Sequence, residues 1–133
     1  MKYCADTWYI LNLFSKEENS IRIFNDIRLG KDFLILPVIV ISESYKKLLQ
    51  HGISEKLIDS FFESIDVSDK IEIVFIDNVI AKEGAKVSLS YSIPLIDSII
   101  AATAKLTDCN FLLSDDKHLK LLHRKRYVKV KSW

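Results

Sequence analysis

Between Ser92 and Leu119 the chain reads SIPLIDSIIAATAKLTDCNFLLSDDKHL, a helix feeding a short apolar strand with acids near both ends of the unit. The fixed φ of Pro94 suits a first helical turn, and its missing N–H is one the turn leaves unpaired, so a helix is expected to open at Ile93 or just before it. Ile96, Ile99, Ile100, Thr103 and Leu106 then recur at helical spacing, while Ala101, Ala102 and Ala104 are small enough to let the helix lie close on a sheet. Asp97 falls in the first turn, where the positive end of the helix dipole favours a negative charge. Asn110 and the run Phe111 to Leu113 make a short strand that ends in Ser114, Asp115 and Asp116. In open parallel sheets, ligands collect at the carboxyl ends of the strands, and that is where these acids stand.

The rest of the chain repeats the alternation. Lys2 to Ala5 is a strand ending at Asp6, followed by a helix with Ile10, Leu11, Leu13 and Phe14 on its apolar face and Asp6 or Thr7 as its cap. A second helix is expected over Ser20 to Leu29, closed by Gly30. Asp32 to Leu36 reads as a strand that the β-branched run Val38 to Ile41 could prolong by propensity. Pro37 favours a helix entrance instead, with Val38, Ile41, Tyr45, Leu48 and Leu49 as its stripe and Glu43 in its second turn; on the strand alternative Glu43 is a loop residue. Ser54 caps a helix burying Leu57, Ile58, Phe61, Phe62 and Ile65, and Ile71 to Ile76 is a third strand, after which Asp77 caps a helix reaching Leu89. Lys117 to Leu122 is helical, and Tyr127, Val128 and Val130 form an edge strand guarded by Lys129 and Lys131. The expected fold is α/β: a three-layer αβα domain over residues 1–133, with a mostly parallel sheet of four to five strands.

Composition narrows the function. Nineteen basic residues against eighteen acidic leave a net charge of +1, which argues against coating nucleic acid by bulk charge but permits a local basic patch. Cys4 and Cys109 have no metal-ligand or redox spacing and read as reduced, buried thiols. With no signal peptide and no apolar run of membrane-spanning length, a cytoplasmic protein without a membrane partner is expected.

Asp6, Glu43, Asp97 and Asp116 thus recur at strand-to-helix transitions of one sheet. Singly, Asp6 reads as a helix cap, Glu43 as a solvated helix residue, and Asp115 and Asp116 as turn residues. Together, carboxylates this close raise one another's pKa unless a cation neutralises them. All-oxygen donors select Mg2+ or Mn2+ over zinc, and such an ion keeps positions for a phosphate oxygen and a water. The chemistry indicated is phosphodiester hydrolysis.

The segments CADTWYILNLF, LPVIVISESYKKL, IPLIDSIIAATA and FLLSDDKHL resemble those of PIN domains, and within them the toxin ribonucleases of VapBC systems. The resemblance covers essentially the whole chain. It implies a metal-dependent endoribonuclease leaving 5′-phosphate and 3′-hydroxyl ends, active as a homodimer and held by a cognate antitoxin. Carried over residue by residue, the family's acidic site falls on Asp6, Glu43, Asp97 and Asp116, with Asp6, Asp97 and Asp116 as metal ligands and Ser114 in the place of a threonine or serine. Asp115 is a secondary candidate for the fourth acid. His118 and Leu119 stand where the family often carries Asp-Phe. An inactive RNA- or protein-binding module of the same fold, and a housekeeping RNA-processing nuclease, are the alternatives. RNA needs positive charge to hold it beside an acidic pocket, and Arg124, Lys125 and Arg126 are the leading candidates, among further lysines nearby and Lys46 and Lys47.

Overall fold

The computed structural model describes residues 1–133 and contains five strands and seven helices. In chain order these are β1 (Lys2–Ala5), α1 (Thr7–Phe14), α2 (Glu18–Arg28), β2 (Phe33–Pro37), α3 (Val38–Gln50), α4 (Glu55–Asp66), β3 (Ile71–Val74), α5 (Asn78–Tyr91), α6 (Leu95–Leu106), β4 (Phe111–Leu113), α7 (Lys117–Arg124) and β5 (Val130–Lys131). The strands lie in the order β3-β2-β1-β4-β5, and every neighbouring pair is parallel. Helices on both sides complete a three-layer αβα fold. Central β1 sets the register: Cys4 lies opposite Ile35 of β2 and Leu112 of β4. A continuous core of 23 buried residues runs through the layers, with Leu34, Ile35, Leu36, Ile100, Leu112 and Leu113 almost wholly enclosed. Because all five strands point one way, their carboxyl ends share one edge, and every residue leaving a strand leaves it there.

The helix expected from Pro37 forms, with Pro37 both the last residue of β2 and the N-cap of α3. Other local expectations shift. The buried face of α3 is Val40, Ser44 and Leu48, not the expected stripe, and Leu49 is exposed. α2 starts two residues earlier than expected because the Glu17 carboxylate caps it, accepting from the amides of Asn19 at 3.0 Å and Ser20 at 2.8 Å. Glutamate is not a favoured capping residue, so sequence pattern does not announce it.

α6 begins at Leu95, with Pro94 as its extended N-cap residue. Its buried face is Ser98, Ile100, Ala101, Ala102, Thr103 and Ala104, while Ile96 and Leu106 are exposed. α5 approaches α6 closely: a Cβ added to Gly84 of α5 would lie 2.7 Å from Cγ1 and 3.2 Å from Cα of Ile99. β3 stops at Val74 with Phe75 exposed, and only Val130–Lys131 of the expected last strand pairs with β4. Tyr127 instead packs near Tyr91 and donates its hydroxyl to Glu83 at 3.0 Å. No single helix is long and apolar enough to cross a membrane; α5 and α6 pass by length only as a pair, bent by 120° at their junction.

Candidate active site

Asp6 is the first residue beyond β1, and its amide still donates to Leu113 of β4 at 3.2 Å. The side chain is buried but caps nothing: although Asp6 stands at the N-cap position of α1, its carboxylate makes no capping bond. Its Oδ2 accepts instead from the hydroxyl of Ser114, 2.6 Å away and fully buried. The same Ser114 oxygen accepts from the amide of Asp116 at 3.0 Å, so one hydroxyl ties the end of β1 to the turn after β4. Asp116 then caps α7 with Oδ2, accepting from the amides of His118 at 2.7 Å and Leu119 at 3.3 Å. Glu43 reaches the same edge from the second turn of α3, where its Oε1 accepts from the Thr7 hydroxyl at 3.0 Å. Asp97 arrives from the first turn of α6.

Electrostatics places the four acids in one another's field. Burial pushes the Asp97 carboxyl up to about 6, with Asp116, Asp6 and Glu43 adding to the rise and His118 opposing it. Burial likewise raises Asp6, assisted by Glu43 and Asp116, against the lowering effect of the Ser114 hydroxyl and the Thr7 amide. Both rises are led by burial, and the neighbouring carboxylates add to them. Asp115, by contrast, is exposed and pairs with Lys120, outside the group. Of the two adjacent aspartates, Asp116 is the one that faces Asp6 and Asp97.

The acids are gathered but not closed into a shell. No three or more Asp, Glu, His or Cys side chains are disposed to hold a metal ion. Hydrogen bonds hold one oxygen each of Asp6, Glu43 and Asp116, from Ser114, Thr7 and the α7 amides. The second oxygen of Glu43 and of Asp116 makes no hydrogen bond. That supply matches Mg2+, which takes one or two direct carboxylates and retains several waters, better than a site built entirely of protein ligands.

Two contributors escape sequence reasoning. In sequence Thr7 is only a possible cap, yet its hydroxyl fixes the carboxylate of Glu43 across thirty-six positions. In sequence His118 is only a departure from the family pattern, yet it stands close enough to Asp97 to oppose the rise in its pKa. Neither pairing has a spacing signal, because each joins elements that only the sheet brings together. Arg124, Lys125 and Arg126 lie elsewhere: α7 starts at the acidic edge and runs back, delivering them to the opposite end of the sheet.

Comparison with known proteins agrees with the fold. The model of the PIN domain family matches residues 3–125. No curated protein matches the sequence significantly. Among solved structures, VapBC2 from Rickettsia felis bound to a promoter DNA fragment superposes with a TM-score of 0.72 at 15% identity, over 100% of this chain and 99% of that one. VapBC-1 from nontypeable Haemophilus influenzae gives 0.69 at 19% identity, covering 100% and 98%. FitAcB from Neisseria gonorrhoeae gives 0.66 at 20% identity, covering 96% and 95%. At such identities the likeness is one of fold.

Proposed function

We propose, starting from a chain that belongs to the PIN domain family, that residues 1–133 act as a single Mg2+- or Mn2+-dependent endoribonuclease domain, the toxin of a toxin–antitoxin pair. The observation that carries the reading is the Asp6, Glu43, Asp97 and Asp116 group, whose Asp97 carboxyl is raised to about 6 by burial and by the neighbouring Asp116, Asp6 and Glu43. The antitoxin partner is supported by the solved structures of like fold, which include VapBC proteins and a toxin–antitoxin complex from Klebsiella pneumoniae. A homodimer working in the cytoplasm completes the proposal.

Asp6 and Asp97 would hold the ion most directly, with Glu43 and Asp116 completing the site through water. When bound, such an ion lowers the pKa of a coordinated water and neutralises charge on the leaving oxygen. The chain's own groups do the positioning. Ser114 fixes Asp6, so that one carboxylate oxygen is presented in a defined direction. Thr7 does the same for Glu43. Asp116 is immobilised as the cap of α7 and keeps Oδ1 for the pocket. His118 offers a polar ring beside Asp97 on the substrate side of the α7 entrance.

The test is cleavage of RNA with Mg2+ or Mn2+, in excess EDTA, and by Asp97→Asn. Metal-dependent products with 5′-phosphate and 3′-hydroxyl ends, lost in the variant, are expected. Cleavage that survives chelation, or persists in Asp97→Asn, removes the metal from the reading.

A further inference from the structure

At the end of the sheet opposite the acids lies a cleft of about 1000 Å³, between the last turn of α6, the start of β4, and the segment joining α7 to β5. Lys105, His123, Arg124, Arg126 and Lys129 line it, with Asp108 as its one acid. None of these four lysines and arginines forms an ion pair; the protein's three salt bridges all lie elsewhere. A chain whose net charge is +1 has therefore concentrated unpaired positive charge around one concavity. Two members are held in place. The Lys105 ammonium donates to the Tyr127 carbonyl at 3.2 Å and stands 4.4 Å above the centre of that ring. His123 accepts the Val130 amide on Nδ1 at 2.8 Å, which leaves Nε2–H as a donor. Lys125 adds a further cation at the tip, in the turn where Arg126 takes a left-handed φ of 62°.

We propose that this cleft is a second binding site for the phosphate backbone of RNA, separate from the acids and reached by the same strand. The proposal rests on the nuclease reading of the acidic edge and adds a length requirement to its substrate. Both α6, between Asp97 and Lys105, and α7, between Asp116 and Arg124, run from the acidic edge to the cleft, and at 1.5 Å per residue each spans about 12 Å. With a rise of about 3.4 Å per nucleotide, the substrate must extend roughly four stacked nucleotides beyond the scissile phosphate to occupy both. A shorter RNA reaches only one of the two. Separation also resolves an electrostatic conflict, since cations set against the acids would neutralise them in place of a divalent ion.

The experiment is fluorescence anisotropy in EDTA, without turnover, using a labelled single-stranded RNA of about 20 nucleotides and another of about three, across a salt series. The wild type is compared with Arg124→Gln/Lys129→Gln and with Lys56→Gln/Lys82→Gln, two exposed lysines outside the cleft, as a control for charge. Losing two phosphate contacts lowers the salt slope for the long RNA by about 1.4 and weakens binding on the order of tenfold near 0.1 M salt. The control changes little, and the short RNA binds the wild type more weakly than the long one. Thermal unfolding of each variant confirms that the fold is retained; both target side chains are exposed, and a third variant, Lys105→Gln, replaces any that fails. Unchanged binding of the long RNA overturns the proposal, as does equal weakening by the control, or a short RNA that binds the wild type as tightly as the long one. Loss of an oligoglutamate peptide without loss of RNA also overturns it, and assigns the cleft to an acidic protein partner. Because binding is read without cleavage, a protein that fails to cut RNA leaves this test interpretable, and a metal-dependent nuclease indifferent to these variants refutes the cleft alone.

Discussion

Asp97→Asn should make the metal-free protein more stable while destroying its site. The Asp97 carboxyl has an ordinary value of 3.8 and is pushed to about 6 by burial and by Asp116, Asp6 and Glu43. A raised acid means that the folded state binds the proton more tightly than the unfolded one. Stability is then greatest below the unfolded value and falls as pH rises from about 4 to about 6, remaining low above. The full interval corresponds to about 3 kcal/mol. The carboxylate is only half-buried, and solvent screening leaves about half of that, roughly 1.5 kcal/mol. Asparagine keeps the shape and carries no charge, so at about pH 7.5 the variant should gain that amount, a rise in Tm of about 5 °C for a domain of this size. Below about pH 4 the two proteins should coincide. Asp6 is also raised and leaves a residual slope in the variant. Circular dichroism melts across this pH range in chelator read the effect. Adding Mg2+ to ten times its dissociation constant should return about 1.4 kcal/mol to the wild type and little to the variant. A variant less stable than wild type at neutral pH, or two pH profiles that run parallel, would refute the crowding of acids on which the site depends.

Three further outcomes follow from packing and hydrogen bonding. Gly84→Ala gains about 1 kcal/mol of helix propensity, but its Cβ would press on Ile99, backbone included. Overpacking of about 1–3 kcal/mol should prevail, and urea unfolding should show a net loss accompanied by weakened cleavage, because Asp97 lies two residues from Ile99. Ser114→Ala removes the hydroxyl shared by Asp6 and the Asp116 amide; a loss of about 1–3 kcal/mol is expected by denaturant titration, with Mn2+ binding weakened in calorimetry. Ser44 carries a buried hydroxyl without a hydrogen-bond partner, so Ser44→Ala should stabilise by about 1 kcal/mol, and a destabilised variant would show that the hydroxyl is satisfied in solution.

The errors in reading α3 and α6 share a cause. Periodicity in sequence reports which residues are apolar, and both helices carry apolar residues on more than one face. In α6 the burial goes to Ala101, Ala102 and Ala104 beside Ile100, while Ile99 meets Gly84 of α5. In α3 it goes to Val40, Ser44 and Leu48, leaving Ile41, Tyr45 and Leu49 around a shallow open groove. How closely two elements approach is a property of the pair, and no single helix encodes it.

What the sequence determined alone was the alternation of strands and helices, the entry of α3 at Pro37, and the placing of Asp6, Glu43, Asp97 and Asp116 near strand ends and helix starts. These follow from local rules: turn chemistry, caps and apolar runs act over a few residues and are written there. Tertiary structure decided the rest. It chose Asp116 over Asp115 for the acidic edge, recruited Thr7 and Ser114 to aim carboxylates, and sent Arg124 and Arg126 to the far end of the sheet. The physical reason is that hydrogen bonds between distant residues, and the direction in which a helix carries its last turn, are set only when parallel strands order their ends in space.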